Sequence, residues 1–395
     1  MKILCLTSND LDGPDYGAAI RARSVFRLLQ QHGTVDLVLA GAHQFWDVNH
    51  PPACAGFNLK RLVKFELQSK ISWRERWRHE LDPRFLKQNW RVASAADQAW
   101  LRASLPEYDL VWIYGVVIAN GFDLWRWPRS VLDIDDIPSS YYRSLQQRAV
   151  GWKDKLRWGR QILLWQRHEQ TLAERFDTMC VCSEPDRKLL RPSAKIFTVP
   201  NGFTAPEKPP VYQPAPSPRL GFVGTFVYEP NRAGVRWFLE KVWPLILAKM
   251  PSAKLRLAGQ LSDQGGWEKF PNVEPLGWVA DTAGEMATWS LSIVPIHTGS
   301  GTRVKIAEAF SRKSPLVSTT LGAYGYEVTD GCELFLADTP AAFAEKCLRL
   351  IADAALAEKM TATAWEKFIR HWTWAAQAPR VAAVVENVLT AGKPR

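Results

Sequence analysis

The sequence contains no run of about 18 uninterrupted apolar residues, the length that a membrane-spanning helix needs. Its N-terminus, MKILCLTSND, has one lysine and then a short apolar segment. It lacks the long apolar region and the small-residue cleavage site of a signal peptide. These absences argue against an integral membrane protein and against a secreted one. We therefore expect a cytoplasmic protein, either soluble or peripheral on the inner face of the cell membrane.

Cysteine pairs with metal-binding spacing are also lacking. The six cysteines form no CxxC motif, and no histidine is spaced to complete a zinc site. Cys180 and Cys182 alternate along an apolar segment, as small buried side chains do. We expect free thiols in a reducing compartment, with neither a metal nor a cofactor.

Acidic residues are fewer than basic ones: 40 Asp and Glu stand against 50 Lys and Arg, which gives a net charge of +10. The sequence has 19 tryptophans, and residues 70–91 and 148–167 mix Trp with Lys and Arg. Trp favours the bilayer interface and cations favour anionic lipid, so these segments predict an anionic membrane surface as a partner. The alternative is that the Trp side chains fill a core and the cations are solvated. No nucleic-acid-binding motif is present, so nucleic acid is not expected as a partner.

Apolar segments rich in Val, Ile and Leu alternate with helical patterns along both halves of the chain. These segments show little polar alternation, as expected for parallel strands that helices cover on both faces. The predicted strands are Lys2–Thr7, Val35–Ala40, Leu110–Tyr114, Val131–Ile134, Thr178–Cys182, Ile196–Val199, Leu220–Val223, Leu255–Ala258, Val273–Leu276, Ser292–Ile296, Leu316–Thr319 and Leu334–Ala337. The fold class is therefore α/β, with two Rossmann-like, doubly wound domains.

A short stretch with six prolines separates the two sets of strands. Neither a helix nor a sheet interior accepts such a composition. We predict an N-terminal domain over 1–205, a linker over 206–218 and a C-terminal domain over 219–370. A helical tail over 371–395 is expected to pack back toward the N-terminal domain.

The most specific candidate site is HTGSGTRVKIAE, residues 297–308, which follows a predicted strand and begins a helix. Gly299 and Gly301 allow a ligand to approach the backbone closely. The helix N-terminus offers unpaired N–H groups, and Arg303 and Lys305 add two positive charges. This combination predicts a diphosphate site, with Glu308 further along the helix accepting the hydroxyls of a ribose. The alternative is a simple turn before a solvated helix surface.

Two features of the N-terminal half are less specific. The segment Gly13–Ala19 places small residues at a helix N-terminus, but its spacing is not GxGxxG, so a nicotinamide or flavin site is not indicated. Asp133, Asp135 and Asp136 follow a strand at its C-terminal end, where ligands bind in open α/β sheets. These carboxylates are candidates for holding a metal, acting as a base or binding sugar hydroxyls. Alternatively, Asp136 caps the turn at Pro138.

Several segments together resemble a family 4 glycosyltransferase with the GT-B fold. They are VPNG at 199–202, GFVGT at 221–225, NVEPLGWV at 272–279, GTRVKIAEA at 301–309 and PLVSTTLGAYG at 315–325. The resemblance is strongest from Arg219 to about Thr373 and looser in the N-terminal half. It implies two Rossmann-like domains that face a central cleft, with the nucleotide sugar on the C-terminal domain and the acceptor on the N-terminal one.

The resemblance also implies an activity. The expected enzyme is a retaining hexosyltransferase that moves a sugar from a nucleotide diphosphate sugar to a glycan or lipid-linked acceptor, in cell-envelope or exopolysaccharide synthesis. The residues expected to bind the donor are Gly17, Gly224, Arg232, Gly299, Ser300, Gly301, Thr302 and Glu308. The residues expected to be catalytic are Arg303, Lys305, Asp135 and Asp136.

The sequence departs from the family pattern in three places. Ser300 stands where the family often has a second glutamate, and the segment Thr225–Arg232 lacks the Arg and Lys that many members carry there. Asp133–Asp136 takes the place of a histidine that is common in the family. Arg303 and Lys305, with Arg232 in part, are expected to supply the missing positive charge. The alternatives to a transferase are a nucleotide-sugar epimerase on the same fold and a non-catalytic binding relative.

Overall fold

The chain divides into two compact units: unit 1 comprises residues 1–200 and 377–395, and unit 2 comprises residues 201–376. Each unit has its own apolar core. The structure is a computed structural model that describes residues 1–12, 16–42, 54, 56–87, 90–208, 210–211 and 214–391. Within these ranges, no helix is both long and apolar enough to cross a membrane.

A parallel sheet of seven strands forms the centre of unit 1. The strands of unit 1 are β1 (Lys2–Thr7), β2 (Thr34–Gly41), β3 (Asn58–Lys64), β4 (Glu66–Leu67), β5 (Arg91–Val92), β6 (Leu110–Tyr114), β7 (Ser130–Ile134), β8 (Thr178–Val181) and β9 (Ile196–Thr198). Their order in the sheet is β3-β2-β1-β6-β7-β8-β9, and β4 pairs with β5 in a separate antiparallel ribbon. The strand order reverses between β1 and β6, so the C-terminal edge there is the expected ligand-binding edge of this sheet.

Helices connect the parallel strands of unit 1. They are α1 (Gly17–Leu29), α2 (Trp73–Leu81), α3 (Ala95–Ser104), α4 (Val116–Gly121), α5 (Pro138–Arg148), α6 (Trp152–Glu169), α7 (Leu172–Arg175) and α8 (Glu184–Leu189). In α1, Ala19, Ala22, Val25, Phe26 and Leu29 recur at helical spacing and are buried. This apolar side fixes α1 against the sheet and places its N-terminus at the end of β1.

Unit 2 repeats the arrangement with six parallel strands. They are β10 (Arg219–Val223), β11 (Lys254–Ala258), β12 (Val273–Gly277), β13 (Leu291–Val294), β14 (Leu316–Ser318) and β15 (Phe335–Leu336), in the order β12-β11-β10-β13-β14-β15. The helices of unit 2 are α9 (Glu229–Trp237), α10 (Trp243–Lys249), α11 (Thr282–Ala287), α12 (Val304–Ser311), α13 (Pro340–Ala352) and α14 (Ala354–His371). Here the strand order reverses between β10 and β13, and the loops after these two strands carry the residues described below.

The last helix, α15 (Trp374–Ala391), begins in unit 2 and continues in unit 1. Its valines at 381, 384, 385 and 388 are buried. Thr178 donates a hydrogen bond to Asn387 over 2.9 Å, which fixes the helix to β8. Just before α15, the Phe203 N–H donates to the Trp372 carbonyl over 2.8 Å, and Phe203 and Thr373 form an isolated β-bridge. The two ends of unit 2 therefore lie side by side.

The α/β fold class with two doubly wound units is confirmed. All predicted strands occur, with ends that differ by one or two residues. The edge strand β3, which carries lysine and arginine, is not among the predicted strands. In unit 2, α9 begins at Glu229 and is followed by a π-helical turn at Phe238–Val242. The units meet along the chain at residues 200 and 201, and the proline-rich stretch belongs to unit 2, with 209, 212 and 213 outside the described residues.

Candidate functional site

The loop between β13 and α12 contains the glycines of the candidate site. Gly299 and Gly301 have φ angles of +114° and +68°, in the left-handed region that favours glycine. A Cβ atom at Gly299 would lie 2.9 Å from the Arg303 guanidinium and 3.1 Å from the Tyr228 hydroxyl. Glycine is therefore required there, because the backbone runs close to both side chains.

Arg303 is buried inside this loop. Its Nη1 donates to the carbonyls of Ser300, over 2.6 Å, and of Gly301, and its Nη2 donates to the Thr298 carbonyl over 3.4 Å. The Tyr326 hydroxyl donates to the Arg303 carbonyl over 3.0 Å. The guanidinium thus holds the loop in shape, and the phosphate-binding role that the sequence suggests for Arg303 stays a prediction.

Lys305 lies on the first turn of α12 and reaches the loop that follows β10. Its Nζ donates to the Asn231 Oδ1 over 2.7 Å and lies 4.3 Å from the centre of the Phe222 ring. The Asn231 amide in turn donates to the Thr225 carbonyl over 2.7 Å. Burial, and to a lesser extent the charge of Arg303, lowers the pKa of Lys305 to about 7. A cation of this kind gains stability from an anionic ligand.

Gly224 lies beside this amino group. A Cβ atom at Gly224 would lie 3.1 Å from the Lys305 Nζ and 3.0 Å from the Asn231 amide nitrogen. The glycine thus leaves room for the lysine in the loop after β10. Sequence reasoning placed Gly224 and Lys305 at one site, and the structure brings them together.

Glu308 lies about one turn beyond Lys305 on α12. It is half-buried, and its charge raises the pKa of Lys305, in opposition to the larger effect of burial. Ile306, Ala307, Ala309 and Phe310 form the buried side of the helix. The lysine and the glutamate therefore share the side of α12 that does not face the core.

The Ser300 hydroxyl and the Arg303 Nε are buried in this loop, and neither has a hydrogen-bond partner among the described residues. Leaving such a group unpaired costs roughly 1–3 kcal/mol, so each atom is a candidate to form a hydrogen bond with a ligand. Thr302, next in the loop, accepts a hydrogen bond from the Asn201 amide over 2.7 Å.

Arg232 is placed differently from the other predicted donor residues. Its Nε donates to Glu229 over 2.8 Å, and the pair lies on the exposed surface of α9, one turn apart. Asn231, its neighbour, is the residue that contacts Lys305. Sequence reasoning missed Asn231, Asn201 and Tyr228, because their partners are some 70 to 100 residues away along the chain.

The carboxylates at the end of β7 in unit 1 occupy three different environments. Asp133 is fully buried in an ion pair with Arg21 of α1, with 2.7 Å between Arg21 Nη2 and Asp133 Oδ1. Asp135 is half-buried and Asp136 is exposed. In the part of the chain that the structure describes, no three His, Cys, Asp or Glu side chains are grouped to hold a metal ion.

Asp135 accepts two hydrogen bonds from buried donors. They come from the Tyr114 hydroxyl, over 2.5 Å, and from the Cys182 thiol, over 3.1 Å. Burial raises the pKa of both donors, which keeps their protons in place. Asp135 is thereby fixed at the C-terminal edge of the sheet, beside the exposed Asp136.

Gly17 is the first residue of α1, and residues 13–15 of the preceding loop lie outside the described residues. The buried Asn9, just after β1, holds the start of this helix. Its amide donates to the Ala18 carbonyl over 3.3 Å, and its Oδ1 accepts from the Tyr16 hydroxyl over 3.2 Å. The helix start is therefore fixed at the edge of the sheet where β1 ends.

Part of unit 2 matches a glycosyltransferase family in sequence, and the whole chain resembles glycosyltransferases of known structure in its fold. Residues 217–353 match the family Glycosyl transferases group 1. A curated relative, the uncharacterized 44.6 kDa protein in the cps region of Klebsiella pneumoniae, is 26% identical over 140 residues, which is 31% of this chain and 34% of that protein. The chain thus matches about a third of the relative's length.

Solved structures resemble the chain over nearly its full length. The sucrose-phosphate synthase of Thermosynechococcus elongatus has a TM-score of 0.70 at 17% identity and covers 99% of this chain and 100% of its own. HepE of Anabaena, in complex with UDP-glucose, has a TM-score of 0.65 at 17% identity, with coverages of 98% and 99%. WaaG, a glycosyltransferase involved in lipopolysaccharide biosynthesis, has a TM-score of 0.64 at 15% identity, with coverages of 97% and 99%.

The structural neighbours define the fold of the chain. The chain has the GT-B fold of glycosyltransferases, as the sequence resemblance predicted. Residues 217–353, which contain the loop between β13 and α12 and the helix α12 itself, match the glycosyltransferase group 1 family in sequence.

Proposed function

We propose that this protein transfers a hexosyl unit from a nucleotide diphosphate sugar to a glycan or lipid-linked acceptor, with retention of configuration. The observation that carries the proposal is the position of Lys305. Lys305 lies on α12, the helix that follows the loop with Gly299 and Gly301. Its amino group donates a hydrogen bond to the neutral side-chain amide of Asn231 on α9. Because its hydrogen-bond partner is an amide and not a carboxylate, its charge favours an anionic ligand such as a diphosphate.

The chemistry follows from where charge develops. As the bond between sugar and diphosphate breaks, negative charge grows on the leaving diphosphate. A fixed ammonium and the N–H groups at the start of α12 stabilise that charge more in the transition state than in the ground state. The positive charge then comes from the protein and not from a metal ion, so turnover should persist in the presence of EDTA.

Other residues of the two units have narrower roles in the proposal. Glu308 accepts the hydroxyls of the ribose, and the unpaired Ser300 hydroxyl contacts the donor sugar. Arg303 shapes the loop that holds the sugar. On unit 1, Asp136, beside the fixed Asp135, contacts a hydroxyl of the acceptor.

The pathway and the place of action are part of the proposal. A curated relative lies in a cps region, and WaaG is involved in lipopolysaccharide biosynthesis. Both support a role in cell-envelope or exopolysaccharide synthesis. A lipid-linked acceptor in such a pathway would bring the protein to the inner face of the cell membrane.

A thermal-shift panel of nucleoside diphosphates and nucleotide sugars tests the donor part. A ligand that binds only the folded state adds RT ln(1 + [L]/Kd) to stability, so the preferred donor should raise the Tm most. With that donor and a candidate acceptor, NMR of the product should show a retained anomeric configuration. Turnover of the donor alone with inversion at C2 of the sugar would identify an epimerase instead, and the absence of any shift would identify neither enzyme.

Glu308→Gln tests the ribose contact. The variant should fold normally but bind the nucleotide sugar roughly ten- to a hundredfold more weakly, since a charged hydrogen-bond acceptor contributes about 1.5–3 kcal/mol. Glu366→Gln, on the exposed surface of α14, is the matched control. If calorimetry gives the same affinity for both variants, Glu308 lies outside the donor site.

A further inference from the structure

The helix α2 of unit 1 carries an exposed apolar stripe. Trp73, Trp77 and Leu81 follow one another at every fourth position, and each is more than half exposed. Residues four apart lie on one side of a helix. The buried residue of α2, His79, lies on the opposite side. A surface helix normally turns its apolar side toward the core, so an apolar stripe on the solvent side of α2 is unusual.

The helix α6 carries a second stripe. Trp152, Leu156 and Leu163 lie within about 40° of one another around the helix axis, at 100° per residue. Each of them is also more than half exposed. Ile162, Leu164 and Trp165 form the buried side of the same helix. The pattern is therefore present twice in unit 1.

Two hydrogen bonds from α6 to Glu80 hold the two helices next to each other. The Arg160 Nε donates to Glu80 over 2.9 Å, and the Arg167 guanidinium donates to the Glu80 carbonyl over 3.4 Å. A cavity of about 650 Å³ lies between the helices, and Arg76, Trp77 and Arg160 are among the residues that line it. We call the six apolar residues Trp73, Trp77, Leu81, Trp152, Leu156 and Leu163 the Trp–Leu face.

The charges on these helices are mainly positive. The two helices contain eight Lys and Arg residues and four Asp and Glu residues. Of the acids, Glu169 is buried against Ser139, and Glu80 is bound by Arg160. Several cations lie beside the exposed tryptophans, such as Lys153, whose Nζ is 5.8 Å from the centre of the Trp152 ring.

We propose that the Trp–Leu face docks unit 1 on a bilayer that contains anionic phospholipid, with the exposed Trp and Leu side chains in the interface and the cations at the headgroups. Trp, Leu and interleaved cations are the residues that interfacial helices use. A second copy of this chain fits less well, because two such basic faces repel each other. The inference rests on the proposed function only in that a lipid-linked acceptor gives the docking a purpose.

Vesicle flotation of the full chain tests the inference. The protein should float with vesicles of phosphatidylcholine and phosphatidylglycerol, float far less with phosphatidylcholine alone, and be released by salt, because screening shortens the range of the charges. The double variants Trp73→Ala/Trp77→Ala and Trp152→Ala/Leu156→Ala should each lower the vesicle affinity by about tenfold or more. All four side chains are exposed, so their loss leaves the core intact.

Trp278→Ala is the matched control. Trp278 and Trp77 are each 60% exposed, but Trp278 lies on unit 2. Its loss should leave flotation unchanged. An equal loss of binding in this control, equal flotation with neutral vesicles, or a dimer that the same double variants dissociate in the absence of flotation would each overturn the inference.

Calorimetry with the preferred nucleotide sugar separates this inference from the proposed function. A protein that binds the donor but does not float loses only the docking inference. A protein that floats but binds no nucleotide sugar loses only the proposed activity.

Discussion

At the scale of single residues, Lys305 is a cation in surroundings that disfavour its charge. Its pKa lies at about 7, well below its ordinary value of 10.5, mainly because of burial. Above pH 7 the amino group of the free protein is therefore mainly neutral. A bound diphosphate favours the ammonium form and raises the pKa again. We expect the protein to take up a proton when a nucleoside diphosphate binds between about pH 7 and pH 10, and the affinity to fall as pH rises through this range.

Calorimetry at pH 8 in two buffers with different ionisation enthalpies measures this uptake. The apparent binding enthalpies should differ for the native protein and agree for Lys305→Gln. Lys241→Gln, which removes an exposed lysine of unit 2, should behave like the native protein. The same proton uptake in Lys305→Gln would mean that another group titrates on binding.

Arg303 is expected to behave as a positioning residue. Its guanidinium donates to three carbonyls of the loop, and a lysine ammonium lacks the planar fork needed to do so. Arg303→Lys should therefore weaken donor binding nearly as much as Arg303→Ala, although it keeps the charge. Steady-state kcat and donor KM of both variants measure the effect. Rescue of activity in Arg303→Lys would show that the charge acts on the diphosphate directly.

At the scale of secondary-structure elements, the buried Arg21–Asp133 pair joins α1 to β7. Both side chains are completely buried, and Arg21 also donates to the Val199 carbonyl over 2.9 Å. Arg21→Met or Asp133→Asn leaves the partner without its counter-ion, which should reduce the free energy of unfolding by about 3–5 kcal/mol. Urea unfolding measures the loss.

An exposed ion pair provides the comparison. Arg187 and Glu184 lie one turn apart on α8, and each side chain is 43% exposed. Arg187→Met should change stability by no more than about 1 kcal/mol. If Asp133→Asn also reduces the free energy of unfolding by no more than about 1 kcal/mol, the Arg21–Asp133 pair does not hold α1 on the sheet.

The elements of the core are the part that the sequence predicts best. Strands such as β1 and β6 are buried on both faces, so their apolar runs stand out from the surrounding sequence. The edge strand β3 has one neighbour and carries cations, and its pattern resembles a loop. The helical tail predicted over 371–395 begins only at Trp374, because Thr373 pairs with Phe203, and no local pattern indicates that pairing.

In the candidate site, too, the local elements could be predicted from the sequence, but the long-range contacts could not. The glycine loop and the helix α12 are local in sequence, so Gly299, Lys305 and Glu308 were placed on the right elements. The target of the Arg303 guanidinium is set by the fold of the loop, and the Lys305–Asn231 contact spans 74 residues. Such long-range contacts depend on the order of the strands in the sheet, and that order cannot be predicted from the pattern of a single sequence.

At the scale of the whole molecule, the C-terminal helix belongs to the unit that begins the chain. The buried valines of α15 and the Thr178–Asn387 hydrogen bond place it in unit 1. Truncation after Ala376 should therefore destabilise unit 1, while unit 2 still binds the nucleotide. Scanning calorimetry with and without nucleoside diphosphate measures both effects.

A point variant checks the truncation without shortening the chain. Val384→Asp puts a charge on the buried side of α15 and should also destabilise unit 1, whereas Glu386→Gln on the exposed side should not. Normal stability of Val384→Asp would show that unit 1 does not need the helix.

The adjacency of Phe203 and Thr373 makes unit 2 an insertion within unit 1. Its first and last residues meet, so the chain leaves its host domain and returns to it through neighbouring segments. Residues 201–376 then form a cassette. Exchange of the cassette with that of a relative would transfer nucleotide preference while the host domain, with both chain termini, is kept. Such a chimera needs two junctions, near residues 200 and 376, and a single crossover between them would join half of one sheet to half of another.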